Sequence, residues 1–149
     1  MIFKITPASV SVGLSSAVMF PLEPALDRQE IEKLLLDLNK FCELYGLSFL
    51  APSRFFVGAN LVFARVPNLK IKLFKFKKSC GKPMADYLPT GPEGIKINAW
   101  MTEIQMFLHQ HPVNISRRNK NQGTVDILWF EPAFSLLPFW GGGLGWRVR

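Results

Sequence analysis

Residues 90–114 read TGPEGIKINAWMTEIQMFLHQHPVN, and the rest of the chain is most easily read outward from them. Ile97, Trp100, Met101, Ile104, Phe107, Leu108 and His111 recur three and four residues apart, the spacing of one face of an α-helix. Thr90 to Glu93 have the spacing of a capping box with proline in the first turn, so the helix is predicted to begin near Thr90. Pro112 ends it, since a proline inside a helix removes a backbone donor and clashes with the preceding turn.

Upstream, residues 27–46 (DRQEIEKLLLDLNKFCELYG) predict another helix. Asp27 and Glu30 form a capping box, Ile31, Leu34, Leu35, Leu38, Phe41, Cys42 and Tyr45 make its apolar stripe, and Gly46 suits a left-handed end. Between the helices the chain reads as β. LSFL (47–50) and RFFVG (54–58) flank a turn at Ala51-Pro52-Ser53, LVFARV (61–66) follows, and LKIKLFKFKK (69–78) is a basic strand. The apolar face of that last run switches between Leu73 and Phe74, which a β-bulge or a strand end would accommodate. Downstream, SRRNKNQG (116–123) reads as a basic loop and TVDILWF (124–130) as a largely buried strand. The expected fold is α+β, one domain over residues 1–149, with a mixed or antiparallel sheet packed against two main helices. Residues 130–149 form an aromatic, glycine-rich tail suited to interaction.

The composition is that of a folded chain: 48% hydrophobic and 19% charged, which excludes intrinsic disorder. A net charge of +7, from 18 Lys and Arg against 11 Asp and Glu, favours anionic partners or a plain basic surface. Cys42 and Cys80 stand far apart outside any C-x-x-C pattern, which points to a reducing compartment. The N-terminal run MIFKITPASVSVGLSSAVMF has a weak leader-like character, interrupted by Pro7, Gly13 and serines. No stretch is long and apolar enough to span a bilayer, so the expectation is a cytoplasmic protein without a membrane partner.

His109 and His111 raise the question of a metal. Two residues apart on a helix, they point about 200° from each other, and the chain has no other histidine. No metal and no cofactor are expected. Asn98, Thr102, Gln105 and His109 fall on one line of the helix, read either as a pocket-lining strip or as its solvent side. Templates for a nucleophile elbow, a P-loop and a dinucleotide fingerprint are missing. Lys72, Arg117 and Arg118 are candidate anion-binding residues. Lys70 to Lys78, with Phe74 and Phe76 interleaved, also permit a nucleic-acid reading, which is not favoured because no complete RNA-binding signature is present.

The run WMTEIQMFLHQHPVN, a basic loop, then VDILWF and WGGG, resembles bacterial proteins described as "regulatory protein, RpfE type", also called cofactor-independent phosphoglycerate mutase-like. Glu103, Gln105, Met106, His109, His111, Pro112, Val113 and Asn114 match the signature, as do Trp129, Trp140 and Gly141 to Gly143. Asp126 stands where that pattern favours asparagine, EPAFSLLPF separates Trp129 from Trp140, and the similar proteins run on beyond the glycines. The resemblance implies a non-catalytic regulatory or binding protein, with Glu103, Gln105, His109, His111 and Asn114 as candidate ligand residues. Asn114 suits an Asx turn, and His111 a buried hydrogen bond. A phosphoryl-transfer enzyme completed by a further C-terminal region is the alternative. Metal-dependent mutases need two metals and a serine nucleophile, which two histidines on one segment do not supply. In the tail, Trp140 and Trp146 are expected to anchor a protein partner or a second copy of the chain.

Overall fold

The computed structural model describes residues 2–50, 62–65 and 69–132. The leader-like N-terminal run forms the strand on which the sheet is built. β1 (Ile2–Val12) turns at Gly13, whose N–H donates to Ser16 O at 2.8 Å, and returns as β2 (Ala17–Pro21). β3 (Ser48–Leu50) pairs with β4 (Val62–Arg65), β4 pairs with residues 2–5 of β1, and β5 (Ile127–Pro132) pairs with residues 3–8. Phe3, Lys4 and Ile5 have partners in both β4 and β5, so those strands flank β1 on opposite edges. Every strand pairing among the described residues is antiparallel, and the fold is α+β.

α1 (Arg28–Phe41) begins with the predicted capping box: Asp27 accepts from Glu30 N–H at 2.8 Å and Glu30 accepts from Asp27 N–H at 3.0 Å. The helix stops at Phe41, and a 3-10 turn (Glu43–Tyr45) follows before Gly46 takes the left-handed conformation at φ 73°. The basic run 69–78 is not the predicted strand. Among the described residues it makes one bridge, between Lys72 and Thr90, and then enters the short helix α2 (Phe76–Ser79). The reason lies in its backbone partners. Phe74 O accepts from the Trp129 indole and Phe76 N–H donates to the Glu131 carboxylate, so two side chains of β5 take groups that a ladder would have used.

The same bridge displaces the next helix. α3 (Gly94–His109) starts later than predicted, and the TGPE capping box does not form. Thr90 exchanges backbone hydrogen bonds with Lys72, and the Glu93 carboxylate accepts from Lys70 N–H instead of capping the helix. Gly91 makes this approach possible. At φ +98°, a Cβ there would lie 3.0 Å from the Ile71 Cα and the Lys70 carbonyl. A second correction follows α3. The residues predicted as a basic loop begin inside α4 (Pro112–Asn119), because Pro112 both ends one helix and supplies the favoured first residue of the next.

Three layers result. Phe49 and Phe3 are both registered against Ala64 and share a face of the sheet with Ile5, Leu128 and Phe130. α1 and α3 cover that face and touch each other through the stacked rings of Phe41 and Phe107, 4.5 Å apart. The opposite face carries Thr6, Met19, Trp129 and Glu131. Residues 74–81 cover it, with Gly81 N–H donating to Met19 O. β5 is therefore buried on both sides, as the continuous apolar run 127–130 anticipated. The predicted strand at 54–58, its turn at Ala51-Pro52-Ser53 and the tail from residue 133 lie outside the described residues.

Candidate functional site

The signature segment lies where α3 ends and α4 begins. His111 sits in extended backbone between the helices, and its Nδ1 accepts the N–H of Val113 at 3.1 Å. An Nδ1 that accepts must be bare, so the ring proton is on Nε2, which lies 2.7 Å from Asp37 Oδ2 on α1. That hydrogen bond is the main cause holding the Asp37 carboxyl below its ordinary value, with Lys33 adding to it against the cost of burial. His111 is thus a helix cap and an interhelical tie at once.

Asn114 is buried on the first turn of α4 and makes no Asx turn. Its side-chain amide donates to Leu108 O and Val125 O, both at 2.8 Å, and its Oδ1 accepts from Val125 N–H at 2.8 Å. These bonds join the end of α3 to the residues leading into β5. One turn further on, Arg117 has no exposed side-chain surface, which corrects its assignment to an anion-binding surface. Its Nε and Nη2 clamp the Glu30 carboxylate at 2.8 and 2.9 Å, and its remaining N–H groups reach Pro24 O, Gly123 O and Ala25 O. Burial alone would raise the Glu30 carboxyl, but the Arg117 bond, the Asp27 backbone and the charges of Arg117 and Lys120 outweigh it and leave it lowered. Gly123 matters here, because a Cβ on it would meet Glu23 O at 2.9 Å.

The other candidate ligand residues, Glu103, Gln105 and His109, reach the surface. Glu103 and His109 are exposed and Gln105 is half-buried. Thr102, Gln105 and His109 do come together, lining an open depression of about 430 Å³ with Met106 and Gln110. Asn98 leaves that line: its amide donates to Pro89 O and its backbone carbonyl accepts the Thr102 hydroxyl. A second open groove of about 570 Å³ lies between α1 and the α3–α4 junction, lined by Lys40, Phe41, Met106, Phe107, Gln110 and the Asp37–His111 pair. Arg118 is exposed and donates to His109 O, and Lys72 is exposed on the segment covering the sheet.

Sequence reasoning missed Asp37 and Glu30 as partners of the signature. Glu30 had a visible role in the capping box, and nothing local distinguishes Asp37. Burial pushes the Cys42 thiol up to about 12 and raises Cys80 as well; both are free. Among the described residues, no group of three or more His, Cys, Asp or Glu side chains is placed to hold a metal, and no helix is long and apolar enough to cross a membrane. Fold and site together define an α+β protein whose helix junction is stitched by buried polar side chains beside two open grooves. Comparison with protein-family models, curated proteins and solved structures returns no match.

Proposed function

We propose that this chain is a non-catalytic binding protein with a regulatory role, acting in the cytoplasm on an anionic ligand or partner. The resemblance to RpfE-type proteins supports it. The observation that carries it is the use of polar groups at the helix junction. Both ring nitrogens of His111, both ends of the Asn114 amide and the Arg117 guanidinium are spent on protein partners. Groups consumed in this way have no capacity left to move a proton or hold a substrate. Gln105 and His109 border a shallow, open depression, which suits recognition rather than the water exclusion that phosphoryl transfer requires. Free thiols at Cys42 and Cys80 accord with a reducing compartment. A partner engaged through Trp140 and Trp146 belongs to the same proposal; both residues lie outside the described part of the chain.

A thermal-shift screen against phosphorylated metabolites, divalent metals and oligonucleotides tests this, because a ligand of the native state must raise its melting temperature. The expected outcome is stabilisation by an anionic compound without chemical change to it. Turnover of a phosphorylated metabolite that disappears in His109→Ala would replace this reading with the mutase-like one.

A further inference from the structure

The segment from Leu69 to Thr90 holds six lysines and one aspartate, a net +5 of the chain's +7. Lys70, Lys72, Lys75, Lys77, Lys78 and Lys82 are all exposed, and among the described residues none of them is in an ion pair. A charge concentration of this kind in so short a segment raises the local potential by several kT.

The geometry also fixes where the charge stands. Lys72 and Lys78 place their ammonium groups 5.3 and 5.8 Å from the centroid of the Phe74 ring. Lys82 lies 5.8 Å from that of Tyr87, and the two rings meet edge to face at 5.5 Å. Cation–π attraction holds ammonium groups at such distances while leaving them open to solvent. The backbone beneath is fixed to the sheet by the Trp129 indole, the Glu131 carboxylate and Met19 O, and at its ends by the Lys72–Thr90 bridge. The side-chain entropy of three lysines is therefore partly spent before any ligand arrives.

We propose that the lysine-rich segment covering the sheet is a docking surface for the phosphate backbone of double-stranded nucleic acid, bound without regard to sequence. This deepens the binding-protein reading and rests on it. Three observations select the duplex. None of the exposed large apolar side chains of the described residues falls between Leu69 and Thr90, so the surface lacks the anchors of a protein interface or a membrane-inserting face. The faces of Phe74 and Tyr87 already carry ammonium groups and both rings are half-buried, which removes the stacking platform a single strand uses. A duplex presents one charge per about 1.7 Å of axis, dense enough to engage several fixed lysines at once.

Fluorescence anisotropy of the full chain with a labelled duplex of mixed sequence, over a salt series, tests the proposal. Binding is expected at low salt, with the logarithm of affinity falling linearly against the logarithm of salt concentration. The triple variant Lys72→Glu, Lys78→Glu, Lys82→Glu should weaken binding at low salt by about tenfold or more. Its salt slope should fall by about one for each phosphate that is no longer neutralised. The charge-matched triple Arg28→Glu, Lys96→Glu, Lys120→Glu, outside the lysine-rich segment, should keep most of the affinity. Circular dichroism of both triples, and the milder Lys72→Gln, Lys78→Gln, Lys82→Gln, separates weaker binding from failure to fold. Equal loss of affinity in the two charge-reversed triples would reduce the effect to net charge and overturn the proposal. Tighter binding to anionic phospholipid vesicles, to polyglutamate or to a single strand would overturn it too. Absence of duplex binding at low salt, with a surviving thermal shift from a phosphorylated metabolite, overturns this inference and leaves the binding-protein reading standing. Turnover of that metabolite would overturn both.

Discussion

Arg117 donates five hydrogen bonds, the full capacity of a guanidinium group, and no part of its side chain reaches solvent. Replacing it strands a carboxylate and three carbonyls that were satisfied by one side chain. Arg117→Met is therefore expected to cost about 3–5 kcal/mol, the range for breaking a buried ion pair by removing one partner. Arg117→Lys keeps the charge but not the fork of donors, and should also be clearly destabilised. His109, one of the matching signature histidines, is exposed, so His109→Ala should stay within about 0.5 kcal/mol of the parent. Urea unfolding of the variants measures both expectations. An Arg117→Met protein as stable as the parent would mean that the junction does not depend on this residue.

At the scale of elements, the least expected arrangement is the run 69–81, which crosses a face of the sheet instead of joining its edge. Its attachment is concentrated on β5. The Trp129 indole donates to Phe74 O at 2.8 Å, and Glu131 accepts from Phe76 N–H at 2.9 Å while also accepting the Thr6 hydroxyl. Trp129→Phe keeps a buried aromatic ring but removes the donor and leaves a cavity where the indole was larger. It should cost about 1–3 kcal/mol for the buried acceptor left without a partner, with the cavity adding to that loss. The same change should speed amide hydrogen exchange in residues 74–81 more than in α1 or α3. Uniform protection across all three would show that the cover is held by apolar contact alone.

At the scale of the molecule, two long-range pairs of an acidic and a basic side chain join distant parts of the chain among the described residues: Asp37 with His111, and Glu30 with Arg117. Both carboxylates are held below their ordinary values. As the pH falls, the unfolded chain therefore takes up protons before the folded one does, near about 3.9 for Asp and 4.3 for Glu. Their contribution is fully present above those values and is lost as the pH drops through the lower folded ones. The unfolding free energy should be nearly flat above about pH 5 as far as these two groups are concerned and should decline below about pH 4. Asp37→Asn should lower stability at neutral pH and make the acid decline shallower. An acid limb with the parent's slope in Asp37→Asn would show that the tie to His111 adds nothing to acid sensitivity.

What the sequence determined by itself was local. The capping box of Asp27 and Glu30, the apolar stripes of α1 and α3, the left-handed Gly46 and the buried run of β5 each depend on residues a few positions apart. Those features were enough for the α+β class. The tertiary structure decided the rest, because it turned on which backbone group met which remote side chain. Thr90 could not help to cap α3 once Lys72 held its backbone, and the lysine run could not continue as a strand once Trp129 and Glu131 took its carbonyl and amide. Pro112 read as a stop, and only the His111 side chain on Val113 N–H made it a start as well. At the site the gap was wider still. Arg117 meets Glu30 across 87 positions and His111 meets Asp37 across 74, pairings that neither periodicity nor capping encodes. Burial in the folded chain turned two apparent ligand residues and one apparent surface cation into structural ties, because a polar group withdrawn from water must find its partner within the protein.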